Sequence, residues 1–462
     1  MATAQDKTLI AKKAEEGDLK QILITANDGS DKKDLAPVTT QFDYYESILD
    51  NTVRIKMTFT DTGDSLEKDG GAVSVMEGLP IVGTENVRVI IEDANEEKVE
   101  VTLFVNGVDP LSESTQSNTV NLSLVSKEIF NNEDGGTRVI GRYDGKISDH
   151  VKNILTEVLN TDKDIDIEQT KNVYNCWGRA LKPFAFTNWI QKKGIPDSKD
   201  SENTAGFFLW ETSDGYHFKS IDTLMAQDPK IKVIYNNVQD EKGKNIPQGY
   251  DGQILELEGG GGNNVKGMQE MGTYKSRIVL FDPFNCYYKI IEPTVVEEET
   301  VGGGQSKKKE EPAEMKPKTA AKKIPSKIYN DEVNFKFTRT TYMLMDTGTL
   351  PTGDTDQQIE KNEEHNLKPQ DNLNQSIMRY NQMFAVKRTI TIVGDFTLRA
   401  GDAVYIDVPQ VSDKENQDVN KEIGGLYIIV DLCHYMTAVP PGCYTKLNLV
   451  RDSYGRKPKG AE

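Results

Sequence analysis

Two Asp-Thr-Gly triplets carry the most specific candidate chemistry in this sequence. They occupy residues 61–63 and 346–348, and each follows a β-like run. Aspartic proteases use two such aspartates, which share one proton around an activated water. The same triplet is a common turn at the end of a strand, and these two copies lie farther apart than the lobes of such enzymes usually place them. The pattern favours turns and leaves a protease that uses Asp61 and Asp346 as a distant alternative.

A run of aspartates resembles the start of a calcium-binding loop. Asp162, Asp164 and Asp166 have the spacing of the first ligands of such a loop. Ile167, however, stands where the tight turn requires glycine, and Val173 stands where the bidentate glutamate belongs. These two substitutions exclude a calcium loop of this type.

Cys433, His434 and Cys443 are the nearest approach to a zinc site. Adjacent residues of a strand point to opposite faces, so Cys433 and His434 cannot both face one ion. A fourth ligand is also missing from the neighbouring sequence. We expect these three side chains to be buried structural residues, and we expect no metal site.

Nucleophilic and phosphate-binding motifs are absent. There is no G-x-S-x-G elbow, and the histidines have no recognisable nucleophile partner; they are His150, His217, His365 and His434. The glycine run at 259–262 is followed by Asn263, so it is not a P-loop. The sequence therefore predicts no catalytic residues, no cofactor and no enzymatic activity.

Charge narrows the range of partners. The chain has 462 residues, of which 73 are acidic and 55 basic, and its formal net charge is −18. Such a surface repels nucleic acid and anionic lipid, which disfavours a general DNA- or RNA-binding role. It remains compatible with DNA that passes by without adhering.

The length of the chain and its lack of targeting signals indicate how many packing units to expect and in which compartment the chain folds. A chain this long is expected to form two or more packing units, since one core rarely exceeds about 250–300 residues. Residues 1–20 lack the apolar core of a signal peptide, and no stretch has the roughly 18 apolar residues that span a bilayer. The 4 cysteines form no C-x-x-C pair. We expect folding in a reducing cytoplasm, without disulfides.

The region from residue 20 to residue 131 reads as β structure. Apolar and polar residues alternate over 53–60, which is typical of a strand with one buried face. Further strands are predicted at 87–91, 99–105 and 121–125, and their short, regular spacing suggests a barrel or sandwich. We predict that four residues have a structural role in the strands of this unit: Val53, Ile55, Met57 and Phe59.

The next region changes to a helical period. Ser148 is predicted to cap a helix in which Val151, Ile154, Leu155, Val158 and Leu159 share one face. A second helix is predicted over 184–193. A hairpin with a turn at 212–215 follows. Together these elements predict a small α+β unit.

The middle of the chain is predicted to contain long loops. Residues 301–327 are rich in Lys, Glu, Pro, Ala and Gly, which predicts a solvated arm or linker. Residues 348–375 form a second polar loop. Strands are predicted between these loops and the glycine run, at 276–282 and 287–291.

The C-terminal part returns to β structure. Strands are predicted at 388–393, 403–408, 425–431 and 445–451, and they complete a second small barrel. We predict that six residues have a structural role in the strands of this second barrel: Val404, Ile406, Tyr427, Ile429, Leu447 and Leu449.

These elements divide the chain into six predicted segments, in a mainly β fold with an α+β insert. The segments are an N-terminal tail (1–19), a first β domain (20–131), an α+β domain (132–235), an extended insertion (236–380), a second β domain (381–453) and a C-terminal tail (454–462).

The two β domains resemble the tube-type antiparallel β-barrel domains of contractile-phage baseplate hubs. The first resemblance covers residues 23–25, 53–63 and 78–85, and the second covers 394–402, 425–434 and 445–451. The whole order, β unit, α+β insert and β unit, is similar to the central hub subunit of T4-like phages. The long middle region departs from that pattern.

This resemblance implies a homotrimer. Three subunits with two barrels each would match a sixfold tail tube on one side and a threefold central spike on the other. The implied partners are a tail tube or tube-initiator protein, the spike, surrounding baseplate wedge proteins, and DNA that passes during ejection without specific binding. The implied location is the tail baseplate of a virion assembled in the host cytoplasm, with no membrane insertion of its own.

The alternative is a spike-hub protein of a contractile injection or secretion system. Acidic side chains are expected to face the bore.

Overall fold

The structure of the protein is a computed structural model, and it describes residues 17–29, 31–63, 66–68, 71–79, 81–114, 116–197, 205–235, 252–259, 265–272, 276–282, 286–291, 339–344, 376–377, 379–408 and 423–451. Within these ranges the chain is mainly β, which confirms the predicted fold class. None of the helices in the same ranges is long and apolar enough to cross a membrane.

The strands are β1 (Asp18–Thr25), β2 (Lys32–Asp34), β3 (Thr39–Ser47), β4 (Arg54–Asp61), β5 (Leu66–Lys68), β6 (Gly71–Val73), β7 (Asn86–Glu92), β8 (Lys98–Glu113), β9 (Asn118–Val125), β10 (Arg142–Tyr143), β11 (Ile165–Ile167), β12 (Cys176–Trp177), β13 (Phe207–Thr212), β14 (Gly215–Ser220), β15 (Ile231–Ile234), β16 (Ile254–Gly259), β17 (Ser276–Asp282), β18 (Tyr287–Ile291), β19 (Arg339–Leu344), β20 (Val386–Val393), β21 (Ala403–Asp407), β22 (Gly425–Ala438) and β23 (Pro441–Arg451). The helices are α1 (Val75–Gly78), α2 (Lys127–Glu133), α3 (Ile147–Asn153), α4 (Pro183–Ile190), α5 (Ile221–Met225) and α6 (Val265–Met271).

The first β unit consists of β1–β4 and β7–β9, which pair in the order β3-β4-β9-β8-β7-β1-β2. Each of these pairs is antiparallel. On β4, Ile55, Met57 and Phe59 are buried while Arg54 and Lys56 are exposed, because successive side chains of a strand point to opposite faces. The alternation in the sequence thus does place one face of this strand in the core.

The second β unit consists of β15, β16 and β20–β23, which pair in the order β16-β20-β23-β22-β21-β15. β15 runs parallel to β21, and the other neighbours are antiparallel. Ile234, at the end of β15, forms a parallel bridge with Gln253, and its N–H donates to the Gly252 carbonyl at 2.7 Å. Because Gln253 directly precedes β16, this bridge closes the six strands into a small barrel.

The two β units repeat one strand order. Along the chain, the repeated strands are β1, β3, β4, β7, β8 and β9 in the first unit and β15, β16, β20, β21, β22 and β23 in the second. In both units they pair in the order first, fourth, fifth, sixth, third, second. One strand differs in direction, since β1 is antiparallel to β7 whereas β15 is parallel to β21. The chain therefore contains an internal structural repeat.

Matching hydrogen bonds support the repeat. The Thr84 N–H donates to the Val105 carbonyl at 2.7 Å, and the Gly401 N–H donates to the Ile429 carbonyl at 2.8 Å. Each donor precedes the fourth repeated strand of its unit, and each acceptor lies in the fifth. Thr84 and Gly401 both have positive φ, at 68° and 94°. The loop before β7 and the loop before β21 therefore reach their neighbouring strands in the same way.

The acidic residues of these two loops also match. A Glu85 carboxylate oxygen accepts a hydrogen bond from the Val82 N–H at 2.8 Å. An Asp402 carboxylate oxygen accepts one from the Arg399 N–H, three residues earlier, also at 2.8 Å. The two loops thus use one turn chemistry with different residues.

Matching β-bulges set the alignment of the two units. They lie between Val105 and Gly107 in β8, between Ile429 and Asp431 in β22, between Thr39 and Gln41 in β3, and between Ile254 and Glu256 in β16. A bulge inserts one residue into one strand of a pair and changes its register. The equivalence therefore extends to single residues, with Val105 equivalent to Ile429 and Gln41 equivalent to Glu256.

β22 joins the two β units into one sheet. Its residues 425–428 pair with β21, and its residues 431–437 pair with β3. Between these two segments, the Ile48 N–H donates to the Val430 carbonyl at 2.9 Å. One hydrophobic core contains buried residues of both units. The segments predicted as separate β domains thus share a sheet and a core.

The α+β insert, residues 126–230, follows the first β unit and has a core of its own. The predicted apolar helix face is present, with Val151, Ile154 and Leu155 buried. The predicted cap is wrong. α3 begins at Ile147, one residue before Ser148, and the Ser148 N–H inside its first turn donates to the Thr170 hydroxyl at 3.0 Å.

The other predicted elements of the α+β insert are present. α4 is followed by a 3₁₀ turn at Gln191–Lys193, which together cover the second predicted helix. β13 and β14 form the predicted hairpin, and β11 adds to it in parallel. The tip of this hairpin is formed by Ser213 and Asp214.

The predicted insertion contributes to two different sheets. β17 and β18 form the predicted antiparallel pair, and β19, which the sequence did not indicate, pairs with β17 in parallel. β15 and β16 lie outside the segment predicted as the second β domain, yet they complete its barrel. The remaining domain boundaries stay predictions. The arm at 301–327, the loop at 348–375, Asp346 and His365 lie outside the described residues.

Candidate functional site

A buried carboxylate holds the first β unit, the second β unit and the α+β insert together. Glu46 lies on β3 and is 2% exposed. Its Oε1 accepts hydrogen bonds from the Tyr44 hydroxyl at 2.7 Å and from the Ser213 N–H at 3.0 Å. Its Oε2 accepts one from the Ala400 N–H at 2.9 Å. Ser213 belongs to the hairpin of the insert and Ala400 to the loop before β21, so one side chain contacts all three units.

Arg399 supplies the positive charge at this place. Its guanidinium donates to the two Asp214 carboxylate oxygens at 3.1 and 3.2 Å. It also donates to the Phe396 carbonyl at 2.6 Å and to the Leu398 carbonyl at 3.0 Å. We call the group formed by Glu46, Ser213, Asp214, Arg399 and Ala400 the three-unit junction.

Burial dominates the electrostatics of the three-unit junction. It raises the pKa of Glu46 to about 7, against the opposing effects of the Arg399 charge and the hydrogen bonds that the carboxylate accepts. Burial lowers the pKa of Arg399, but the negative charges of Glu46 and Asp214 outweigh it, so the net shift is upward. The guanidinium therefore stays charged while Glu46 titrates.

Trp210 closes the other side of Ala400. The indole N–H of Trp210, on β13, donates to the Ala400 carbonyl at 3.0 Å. The Trp210 ring lies directly over Gly401, where a Cβ atom would come within 2.7 Å of Cζ2. The Ala400 peptide is thus held from the first β unit through its N–H and from the α+β insert through its carbonyl.

A second buried charge cluster connects the α+β insert to the first β unit. Glu211 accepts hydrogen bonds from the Val53 N–H at 3.0 Å and from the Ser126 hydroxyl at 2.6 Å. The Lys163 ammonium contacts Glu211 at 2.5 Å and Glu128 at 2.8 Å. Burial raises the pKa of Glu211, whereas for Lys163 the two carboxylates outweigh burial and raise its pKa. This cluster pairs its charges within the protein.

These groups are arranged for connection. The oxygens of Glu46 and Glu211 accept hydrogen bonds from other parts of the chain, and a saturated carboxylate has little capacity left for a ligand. Among the described residues, no group of three His, Cys, Asp or Glu side chains could hold a metal ion. The hydrogen bonds and charges of the three-unit junction fix the positions of the three units relative to each other.

The ten structural positions predicted from the sequence lie together in the core shared by the two β units. They are Val53, Ile55, Met57, Phe59, Val404, Ile406, Tyr427, Ile429, Leu447 and Leu449, and each is buried. The sequence pattern predicted two cores for them, whereas the pairing of β22 with β3 unites them in one.

Asp61 of the first Asp-Thr-Gly triplet takes part in a turn. It is 2% exposed, and its two carboxylate oxygens accept hydrogen bonds from the Gly63 N–H at 3.1 Å and the Val75 N–H at 2.6 Å. These bonds are those of an aspartate that fixes the chain after a strand. Its proposed partner, Asp346, lies outside the described residues.

Of the three side chains predicted to be buried, His434 and Cys443 are buried, whereas Cys433 is half-buried. His434 is buried; its ring stacks on Tyr44 and its Nδ1 lies 2.9 Å from the Thr445 hydroxyl. Burial raises the pKa of Cys433 and of Cys443 to about 12, so both thiols stay protonated.

Glu46, Arg399 and Glu211 were not predicted from the sequence. Glu46 and Glu211 stand among apolar and aromatic strand residues, and an acidic residue in such a run is the one signal that the sequence offers. That signal does not identify a partner, because the partners lie on other units.

Comparison with known proteins shows which solved structures are similar to this architecture. No protein-family model matches the sequence, and no curated protein matches it. A tail protein from Neisseria meningitidis MC58 aligns over 94% of this chain and 96% of its own, with a TM-score of 0.50 and 10% identity. This chain shares the fold of that tail protein.

Two further solved structures are similar. The 43 kDa tail protein of prophage MuSo2 from Shewanella oneidensis covers 94% of this chain and 98% of its own, with a TM-score of 0.49 and 10% identity. A component of the type VI secretion system of E. coli covers 96% and 79%, with a TM-score of 0.39 and 9% identity. At such low identity a tail-protein fold establishes architecture and leaves partners and assembly to be proposed.

Proposed function

We propose that this protein is the trimeric hub of a contractile phage tail. In this role it joins the sixfold tail tube to the threefold central spike and forms part of the channel through which DNA is ejected. Its location is the tail baseplate, where it contacts the tube, the spike and surrounding baseplate proteins. It acts as a structural protein, without a cofactor.

The internal repeat of the β unit is the observation that carries this proposal. Two units with one strand order lie side by side, joined through β22 and β3. Three copies of the chain would present six similar β units to a sixfold tube. The α+β insert occurs once per chain, so three copies would present a threefold surface to the spike. A closed ring of such units also satisfies strand edges that a single chain leaves open.

The three-unit junction suits this role. An adaptor between two symmetries transmits force only if its units keep their relative positions. Glu46 and Trp210 hold the Ala400 peptide from two sides, and Glu211 ties the insert to the first β unit. Replacing these links would leave the shared core of the two β units and the core of the α+β insert intact and would loosen the connections between the units.

Mass measurement and electron microscopy of the purified protein test the proposal. We expect a trimer with a central pore and six β units around it, alone or with the tube or spike protein. A strictly monomeric particle without a pore, both alone and with these partners, would contradict it.

The charge of the bore provides a second test. Because the chain carries a net charge of −18, we propose that acidic side chains line the pore and keep passing DNA from adhering. A map of the assembled particle shows which side chains face the pore. A neutral or basic lining would contradict this part of the proposal.

A further inference from the structure

The outer edge of β22 is used by two partners. Its first segment, residues 425–428, pairs with β21 of its own unit, and its second segment, residues 431–437, pairs with β3 of the other unit. The second segment is therefore an interface between two β units. Its residues are buried or half-buried as a result.

β8 is the equivalent of β22 in the first unit, and its outer edge is only half used. Its first segment, 98–104, pairs with β7. Its second segment, 106–113, pairs with β9 on one side and has no partner strand on the other among the described residues. Asn106 and residues 109–112 are exposed, and Leu111 is 60% exposed. The equivalent of the interface strand is thus open to solvent.

The equivalent of β3 is also open. β16 takes the place of β3 in the second unit and carries the same bulge. It pairs with β20 on one side, and in the described chain its other side has just the bridge between Gln253 and Ile234. Leu255, Glu256 and Glu258 are exposed on it. One chain therefore presents both halves of an interface that it has already formed once internally.

We infer that the open segment of β8 pairs antiparallel with β16 of a second copy of this chain, as β22 pairs with β3. The inference rests on the proposed trimer and names its contact. Aligning the bulges places Pro110 opposite Gly259, Ser112 opposite Glu258 and Glu113 opposite Leu257. The contact is heterologous, and in the proposed trimer its head-to-tail repetition closes a ring of three chains.

Features of the edge favour a specific partner over general aggregation. Pro110 has no N–H, so it removes one ladder bond and makes the segment a poor template for an arbitrary strand. A further bulge between Pro110 and Ser112 changes the register within the same segment. A partner strand must tolerate both irregularities, and the glycine at 259 opposite Pro110 leaves room for them.

Cysteine cross-linking tests the register. The exposed Cys286 is first replaced by serine. S112C/E258C then places two cysteines directly opposite each other, at a Cβ separation of about 5 Å, whereas in S112C/E256C the separation is about 7–8 Å. A disulfide needs a Cβ separation near 4 Å. We expect the first pair to form covalent dimers and trimers on mild oxidation, and the second pair and both single variants to form at least about tenfold less.

The outcomes separate this inference from the proposed function. A particle of trimeric mass in which S112C/E256C cross-links better than S112C/E258C, or neither cross-links, would overturn the inferred contact and leave the hub in place. A monomer under all conditions would overturn both. Hydrogen exchange of the unsubstituted protein gives a measurement that depends on no variant. We expect those amides of 106–113 that point away from β9 to exchange at least about tenfold more slowly in the trimer than in diluted monomer, and equal rates would contradict the contact.

Discussion

The Glu46 carboxylate accepts a hydrogen bond from the Ala400 N–H at 2.9 Å, although the two residues are 354 positions apart in the chain. This bond crosses from the first β unit to the second. The same carboxylate contacts the Ser213 N–H of the α+β insert at 3.0 Å. The stability of the whole molecule is therefore sensitive to one acidic side chain.

Glu46 is predicted to make a contribution to stability that falls as the pH rises. Its pKa of about 7 lies above its ordinary value of 4.5, so the folded state binds the proton more tightly than the unfolded state. The resulting stabilisation is present below pH 4.5 and is lost as the pH rises through 7. Its upper limit is on the order of 3 kcal/mol. Denaturant unfolding at about pH 5, 6, 7 and 8 measures it.

Glu46→Gln is expected to remove this contribution to the pH dependence, since an amide does not titrate. Glu100→Gln, at an exposed carboxylate paired with Arg88, serves as the control for the loss of a carboxylate outside the three-unit junction. An E46Q variant with the same slope as the unsubstituted protein would assign the pH dependence to other groups.

Glu211→Ala is predicted to destabilise the protein by about 3–5 kcal/mol, because it leaves Lys163 with one carboxylate and the Val53 N–H and Ser126 hydroxyl without their acceptor. The free energy of unfolding from denaturant titration is the measurement. Arg88→Met, at an exposed ion pair, is the control and should cost about 0–1 kcal/mol. Equal losses of unfolding free energy in the two variants would show that the buried cluster contributes no more to stability than an exposed ion pair.

Gly401→Ala is predicted to cost about 3 kcal/mol. The residue has a φ of 94°, and the added Cβ would approach Trp210 Cζ2 to 2.7 Å. Gly63→Ala is the matched control, since Gly63 has a φ of 85° and, apart from its chain neighbours, no atom of the described residues lies within 4 Å of the point that its methyl group would occupy. It should show the backbone cost alone, about 1–2 kcal/mol. Intrinsic tryptophan fluorescence, which comes from Trp177, Trp189 and Trp210, should change in the first variant and not in the second.

Asp61→Asn is predicted to leave any acid-pH cleavage of a denatured substrate unchanged, because Asp61 holds the N–H groups of Gly63 and Val75. Asp61→Ala should destabilise the protein by about 1–3 kcal/mol through the loss of these acceptors. Loss of a measurable cleavage activity in D61N, with the fold preserved by circular dichroism, would instead support the protease alternative.

Sequence patterns identified the strands because the evidence for a strand is local. Alternation at Ile55, Met57 and Phe59 indicates one buried face whatever the partner strand is. The helix face of Val151, Ile154 and Leu155 was equally evident. The cap of that helix was missed because the Ser148 N–H bonds to Thr170, which comes from another part of the insert.

The sequence by itself determined a mainly β chain with an α+β insert, an acidic surface and buried strand positions such as Val404 and Leu447. The tertiary structure decided the rest: that β15 and β16 complete the second unit, that the two units repeat one strand order, and that β22 unites their cores. It also decided that Glu46 connects three units. The reason is physical. Local alternation of apolar and polar residues is enough to bury one face of a strand. Strand partners and buried hydrogen bonds depend instead on residues hundreds of positions away. Many different sequences are also compatible with one and the same strand order.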